Sequence, residues 1–305
     1  VSEVFRLAHL SDIHLAPLPL PSPRELASKR LGGFLSWQLR RRRVHLATVL
    51  AATVAGLAAA RPDHWVITGD LVNISLPGEF ERARSWLERL APAERITLIP
   101  GNHDAYVAGA AEAHWPLWRP WMAGIGGPEG FPFLHRVGPL LLVGLSSAEP
   151  RPWGDAAGRL GGRQLTRLAG RLAEAARAGL CRIVLVHHPP VEGWSPARKA
   201  LLDAADLRAL LAREGAELVL SGHDHRLEVG ALAGPDGPVP VVAAPSASLV
   251  ANEAERRGGG LVYAIERDAS GGRFRITAEA VRVEPDGCVV REPVTLSAAA
   301  VAALA

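Results

Sequence analysis

The sequence predicts an α/β protein built on two mixed sheets flanked by helices. Three observations carry that prediction. Short apolar runs alternate with amphipathic helical patterns as far as Leu220. From Leu227 onward the pattern changes to strands and turns. Asp, His and Asn residues recur just after the apolar runs, as they do where the C-terminal ends of strands in an open sheet line a ligand crevice.

Val4–Leu10 reads as the first strand and runs into a loop holding Asp12, Ile13 and His14. Pro17 to Pro23 cannot be helical. Arg24–Leu39 then reads as an amphipathic helix, weakened by Gly32-Gly33, and Val44–Ala60 as a second, Ala-rich helix. The strand His64–Thr68 leads to Gly69-Asp70 and Asn73, and Glu79–Leu90 is a helix with Pro77-Gly78 just before it. The strand Ile96–Ile99 delivers Gly101-Asn102-His103-Asp104. Tyr106–Pro132 breaks the rhythm: Trp115, Trp118 and Trp121 are interrupted by Pro116 and Pro120, and Gly124, Gly126 and Gly127 follow. Leu140–Leu145 is a strand, Gly162–Ala178 a helix, and the strand Arg182–Val186 reaches His187-His188. Lys199–Arg213 is a helix, and the strand Glu217–Leu220 reaches Gly222-His223-Asp224-His225. The remaining strands are Leu227–Leu232, Val239–Ala243, Leu261–Arg267, Arg273–Val283 and Cys288–Arg291, expected antiparallel. Their turns fall at Pro235-Asp236-Gly237, Ser270-Gly271-Gly272 and Pro285-Asp286-Gly287. Ala298–Ala305 reads as a short helix or a frayed end. There is no internal repeat. The expectation is one domain over 1–305, with a Pro-rich basic insertion at 17–43 and a Trp-rich cap at 105–133 inside it.

The bulk properties narrow the class. A chain of 305 residues, 48% hydrophobic, builds a sizeable core. The formal net charge is only +3, and the basic residues cluster at Lys29-Arg30 and Arg40–Arg43, so there is no strong nucleic-acid signal. Two cysteines, Cys181 and Cys288, offer neither a disulfide framework nor zinc spacing, which makes a reducing, cytoplasmic location the expectation. No secretory core precedes the first strand, and the chain lacks an initiator Met, so a trimmed leader stays open. No run reaches the roughly 18 apolar residues of a membrane span.

Asp-x-His, Gly-Asp-x-x-Asn, Gly-Asn-His-Asp, His-His-Pro-Pro and Gly-His-x-His occur in that order, from Asp12 to His225. Each motif is weak alone, and five in order are specific. The set resembles the calcineurin-like metallophosphoesterase superfamily, whose fold is a two-sheet αββα sandwich. The resemblance implies that Asp12, His14 and His225 hold one metal, that Asn102, His187 and His223 hold a second, and that Asp70 bridges them. A shared carboxylate suits two cations about 3.5–4 Å apart. A mixed nitrogen and oxygen set without thiolate suits manganese, iron or zinc better than calcium. The implied reaction is hydrolysis of a phosphoester by a hydroxide bridging the two metals, in line and without a covalent intermediate. His103 is implied as the residue over the phosphoryl group, donating a proton or stabilising charge. Asp104 either orients His103 or caps the following turn. Of the adjacent histidines, His187 is the expected ligand, while His188 and Asn73 brace the site or touch substrate.

Several residues have two readings. His9 is read as a core histidine, and His45, His64, His114 and His135 as surface or structural. Asp224 is expected to point away from the metals. The Trp115, Trp118 and Trp121 group is either a satellite core or an apolar wall over substrate. Arg24–Arg43 is either a solvated face or a peripheral contact with an anionic membrane, with Phe34, Leu35 and Trp37 entering the headgroups. The leading function is a dinuclear metal-dependent phosphodiesterase, the alternatives being a phosphomonoesterase or a hydrolase of lipid-linked diphosphates. A DNA nuclease and a non-enzymatic scaffold are disfavoured, the scaffold because every ligand position is filled. The substrate and the oligomeric state are not legible.

Overall fold

The computed structural model describes residues 4–122, 130–268 and 273–296. In chain order the first half contains β1 (Phe5–Leu10), α1 (Pro23–Leu26), α2 (Arg30–Leu39), α3 (Ala47–Ala58), β2 (His64–Ile67), α4 (Pro77–Leu90), β3 (Ile96–Leu98), α5 (Ala110–His114), α6 (Arg119–Met122), β4 (Phe133–Val137) and β5 (Leu140–Gly144). The second half contains α7 (Gly162–Arg177), β6 (Cys181–Leu185), α8 (Ala204–Glu214), β7 (Leu218–Ser221), β8 (Glu228–Leu232), β9 (Val239–Ala243), β10 (Gly259–Arg267), β11 (Phe274–Val283) and β12 (Val289–Val294).

Among the described residues two six-stranded sheets result, in the orders β12-β11-β10-β1-β2-β3 and β4-β5-β6-β7-β9-β8. Strands with period-two side chains and two covered faces read as continuous apolar runs, and that is what places the core. Leu7, Val66, Leu142, Ile183, Leu220, Leu261 and Tyr263 fill the space between the sheets. Their neighbours point outward: Ala8, Trp65 and Ile67 meet the layer holding Leu57, Phe80 and Leu87, and Val143, Val184 and Val219 meet Leu168, Leu172 and Leu211. The expected helix–sheet–sheet–helix layering is present.

Several elements differ from the sequence reading, each for a local reason. The helix expected over 24–39 is two helices. Ser22 caps α1 with its hydroxyl on the Glu25 amide, and the backbone leaves the helix at Ala27. Gly32-Gly33 does not weaken α2, which runs through both. A Cβ on Gly32 would lie 1.8 Å from the Trp153 ring, and one on Gly33 would lie 2.5 Å from Ile74 and 2.9 Å from the Tyr106 hydroxyl. The pair is therefore where two aromatic side chains and Ile74 approach the helix backbone. Trp37 is buried, so the exposed apolar side of α2 is Leu31, Leu35 and Leu39.

Helix α3 starts at Ala47, because the Leu46 amide donates to the Ser248 carbonyl and the Val250 amide to the Val44 carbonyl. Helix α8 starts at Ala204: the chain before it bridges Gly158 at Leu201, and the Asp203 carboxylate accepts from the Leu160 and Gly161 amides. Strand β4, antiparallel to β5, was not anticipated; it is a sheet edge, and His135 and Arg136 dilute its apolar pattern. The tail is antiparallel over β10–β12, but β9 pairs with β7 in parallel and leaves β8 at the edge.

Trp118 and Trp121 are buried among Phe80, Leu87, Ile96 and Leu98, which is the satellite-core reading. Ser270-Gly271-Gly272, Ala298–Ala305 and Gly124, Gly126 and Gly127 lie outside the described residues. Among the described residues no helix is long and apolar enough to cross a membrane.

Candidate metal centre

Five loops, after β1, β2, β3, β6 and β7, open on one edge between the sheets and carry every expected ligand. The backbone there is unusual. Of the seven non-glycine residues with positive φ among the described residues, five are Asp12, His14, Asp70, His223 and His225. Left-handed backbone costs about 1 kcal/mol or more for such residues and clusters at functional sites. Close approach is the second device. A Cβ on Gly101 would lie 2.3 Å from Asp70 Oδ1, and one on Gly222 would lie 1.8 Å from Ser11 Oγ.

Two sets of donor atoms converge. In one, His225 Nε2 stands 3.1 Å from both His14 Nε2 and Asp12 Oδ1. In the other, Asn102 Oδ1 stands 3.2 Å from His187 Nε2 and 2.9 Å from His223 Nδ1. Asp70 Oδ2 lies between the sets, 3.9 Å from His14 Nε2 and 3.5 Å from His187 Nε2. Atoms bound at 2.0–2.2 Å to a common ion stand roughly 3 Å apart, so the spacing is that of ligands around cations.

The tautomers agree. His14 Nδ1 donates to the Val72 carbonyl and His187 Nδ1 to the Thr68 carbonyl, which leaves each Nε2 facing the cluster as metal-bound imidazoles require. His223 Nε2 is buried without a hydrogen-bond partner. The residues present fit a pair of cations.

The charges fit as well. Burial opposes a proton on His187, yet Asp70 and Asp12 hold its pKa up at about 9. Burial would raise Asp70, but His187 and His103 keep its carboxyl ionised. Burial and the Arg41 cation hold His14 and His45 well below the usual imidazole range, and burial with His188 does the same for His223. The cluster thus presents neutral nitrogens at His14, His45 and His223 beside an ionised Asp70, and a cation arriving at His187 would displace the proton that the carboxylates favour there.

The other expected site residues are placed as follows. His103 lies against the cluster, its ring 4.9 Å from His14 and edge-on, with its amide on Asp70 Oδ1 at 2.7 Å. Its Nδ1 bonds the Asn73 carbonyl, and its ring stacks on Tyr106 at 5.6 Å. Burial and Arg41 lower its pKa to about 4. Asp104 does not orient His103. Its carboxylate accepts four backbone amides, from Asp70, Leu71, Val72 and Gly101, so it ties the β2 loop to the β3 loop. Asn73 and His188 are fully buried. Asn73 Nδ2 donates to the Leu15 carbonyl, and both ring nitrogens of His188 are used, on Ser147 Oγ at 2.7 Å and the Ala156 carbonyl at 3.0 Å. Asp224 turns away to Ser195 and Lys199. His9 is a core residue bonded to Thr68.

Two residues at the site were missed. His45 is buried, bonds Ser248 Oγ at 2.9 Å, and sets its ring 4.7 Å from His14 and 5.5 Å from His225. It forms with those two a group whose donor atoms lie within 4.8 Å of one another. Arg41 Nη1 stands 3.3 and 3.4 Å from the ring nitrogens of His103. No motif marks either. The available signal was that both belong to one short segment four residues apart, Arg41 and His45, beside the first ligand loop.

Known proteins agree with this geometry. The family model described as calcineurin-like phosphoesterase matches residues 5–227. A probable cyclic nucleotide phosphodiesterase of Synechococcus sp. is 31% identical over 180 residues, 58% of this chain and 63% of that protein. A cAMP/cGMP dual specificity phosphodiesterase of Mycobacterium tuberculosis is 28% identical over 234 residues, 72% and 61% respectively. The chain thus spans just over three fifths of these relatives' lengths. Among solved structures, a dimetal phosphatase from Danio rerio superposes with a TM-score of 0.60 at 13% identity, covering 96% of this chain and 99% of that one. A purple acid phosphatase from yellow lupin superposes with a TM-score of 0.59 at 14% identity, covering 95% and 53%. Those two likenesses speak to the fold alone. With the family model spanning β1 to β7 and all five ligand loops, the chain belongs to the calcineurin-like phosphoesterase family.

Proposed function

We propose that the chain is a dinuclear metal-dependent phosphodiesterase whose substrates are of the cyclic nucleotide class. One observation carries the reading: Asp70 Oδ2 stands between two nitrogen–oxygen sets, 3.9 Å from His14 Nε2 and 3.5 Å from His187 Nε2. Asp12, His14 and His225 would hold one ion, Asn102, His187 and His223 the other, and Asp70 both. Manganese, iron or zinc suits such donors. Bound there, a metal pair supplies a water nucleophile at neutral pH and Lewis-acid stabilisation of the phosphoryl oxygens. His103 faces the same cluster; with Nδ1 donating to the Asn73 carbonyl, its Nε2 would donate to the phosphoryl or leaving oxygen in the protonated form. Asp104 holds the two central loops in register. The names of the two relatives support cyclic nucleotides over phosphomonoesters.

The test is hydrolysis by manganese-loaded protein of 3′,5′-cyclic AMP, bis-p-nitrophenyl phosphate and p-nitrophenyl phosphate, with Asp70→Ala as the blank. Diester cleavage that the substitution abolishes supports the reading. Preference for the monoester replaces it with a phosphatase.

A second reading concerns location. Leu31, Leu35 and Leu39 are 47%, 50% and 73% exposed and spaced four apart along α2, with Arg40, Arg42 and Arg43 following. Such a face suits peripheral contact with an anionic membrane by a protein of the cytoplasm. Sedimentation with phosphatidylglycerol vesicles at low salt tests it, and equal sedimentation of Leu35→Asp removes its basis.

A further inference from the structure

The run Arg40–Arg43 looks uniform in sequence, but its members part company in the fold. Arg40, Arg42 and Arg43 are exposed, and Arg42 bonds Gln38. Arg41 turns inward, half-buried, onto His103, whose ring in turn meets His14. We propose that Arg41 is an anion-binding residue of this centre that holds the non-bridging oxygens of the substrate's phosphoryl group. The proposal rests on the phosphodiesterase reading.

Partnering is the first argument. Other partly buried arginines have identified acceptors: Arg30 on the carbonyls of Ile74 and Ser75, Arg151 on Glu149 and Asp155, Arg182 on Glu217. Among the described residues no carboxylate lies within 4.0 Å of Arg41, whose one hydrogen-bond neighbour is the His103 ring. A guanidinium withdrawn from water without an anion is unfavourable. A phosphoryl group arriving at the cluster would relieve that, and a planar fork of donors matches two of its oxygens.

Rigidity is the second argument. The Val44 and His45 amides close a tight turn on the Arg41 carbonyl, at 3.0 and 2.9 Å. Val44 and Leu46 are then stitched to Val250 and Ser248, in the same loop whose Ser246 hydroxyl donates to the Asp12 carbonyl. The base of the side chain is therefore tied to the backbone of the ligand loop. A donor fixed in advance stabilises charge without reorganisation at the moment of reaction.

His103 gives the third. Its Nδ1 bonds the Asn73 carbonyl, so its other nitrogen and the Arg41 fork share the space beside His14. Arg41 Nη1 stands 3.3 Å from that nitrogen, which accepts in the neutral ring, so the imidazole holds the guanidinium fork beside the cluster.

The test compares Arg41→Gln and Arg41→Lys with the manganese-loaded parent. Inorganic phosphate is titrated calorimetrically, bound manganese is counted, and KM and kcat are measured on bis-p-nitrophenyl phosphate. The expected result is a roughly tenfold to hundredfold loss of phosphate affinity in Arg41→Gln, a smaller loss in Arg41→Lys, and unchanged manganese in both. Equal phosphate affinity in Arg41→Gln, or loss of bound manganese, overturns the proposal and makes Arg41 a brace for His103. A parent that binds phosphate through Arg41 yet cleaves no diester would leave the anion site standing and remove the phosphodiesterase reading. A parent that cleaves diesters as fast as Arg41→Gln does the reverse.

Discussion

Two segments flank the crevice in sequence and behave oppositely in space. Arg40–Leu46 sends Arg41 and His45 to the ligand cluster. Trp115–Met122 buries Trp118 and Trp121 under α4 and keeps only Trp115 near the site, its indole donating to the Asp104 carbonyl. The difference teaches that proximity in sequence to a ligand loop does not assign a segment to the site. Chemistry does: charged and imidazole side chains are drawn to a cluster of carboxylates, while indoles gain more by leaving water.

The comparison is tested by separating function from stability. The reference is Asp70→Ala, which should lower turnover of the manganese-loaded protein by roughly 10³-fold or more and leave the urea midpoint close to the parent's. A large fall in the midpoint would show that the ligand cluster also carries the fold. Trp118→Ala should do the opposite. Its side chain is fully buried with its indole on the Phe80 carbonyl at 3.2 Å. Truncation should cost about 3–5 kcal/mol in urea unfolding, with kcat of the folded fraction within about threefold. A kcat loss beyond tenfold would restore the substrate-wall reading of the Trp segment.

A third prediction separates core histidines from site histidines. Burial lowers the pKa of both His9 and His64 to about 3, from 6.5. Between those values the unfolded chain binds protons that the folded chain does not, so stability rises with pH across that window and is lost as pH falls through it. At pH 4.5 each contributes a loss of about 2–3 kcal/mol relative to pH 7. His64→Gln should flatten the dependence of the urea midpoint between pH 7 and 4.5, and an unchanged slope would refute the assignment.

The smallest effect has the sharpest sign. Gly33→Ala in a helix should stabilise by up to about 1 kcal/mol on propensity. The 2.5 Å approach to Ile74 and the 2.9 Å approach to the Tyr106 hydroxyl predict a loss of about 1–2 kcal/mol instead. Because Tyr106 stacks on His103, KM should move as well. Gain of stability with unchanged KM would mean α2 is not seated on the site.

The ligand loops were legible because each follows an apolar run, and a two-sheet fold sends such ends to one edge. Asp12, His14, Asp70, Asn102, His187, His223 and His225 lie together for that reason. Arg41 was not legible, since four successive arginines are equivalent until a turn selects one. His45 was hidden because no motif contains it, and its place depends on strand-like pairing with Leu249, about 200 positions away. Gly32-Gly33 misled because propensity weighs the helix alone and not the rings laid against it. Asp104 misled in the same way: a carboxylate beside a histidine suggested a pair, and the backbone amides around it were invisible.

The left-handed backbone at Asp12, His14, Asp70, His223 and His225 has a consequence for engineering. Each position stores strain of order 1 kcal/mol, and glycine would release it. A library of this chain screened for heat resistance alone should therefore return glycine at those five positions early, with hardier and inert proteins as the result. Selection for heat resistance needs a metal in the medium, or the screen will dismantle the crevice while improving the scaffold.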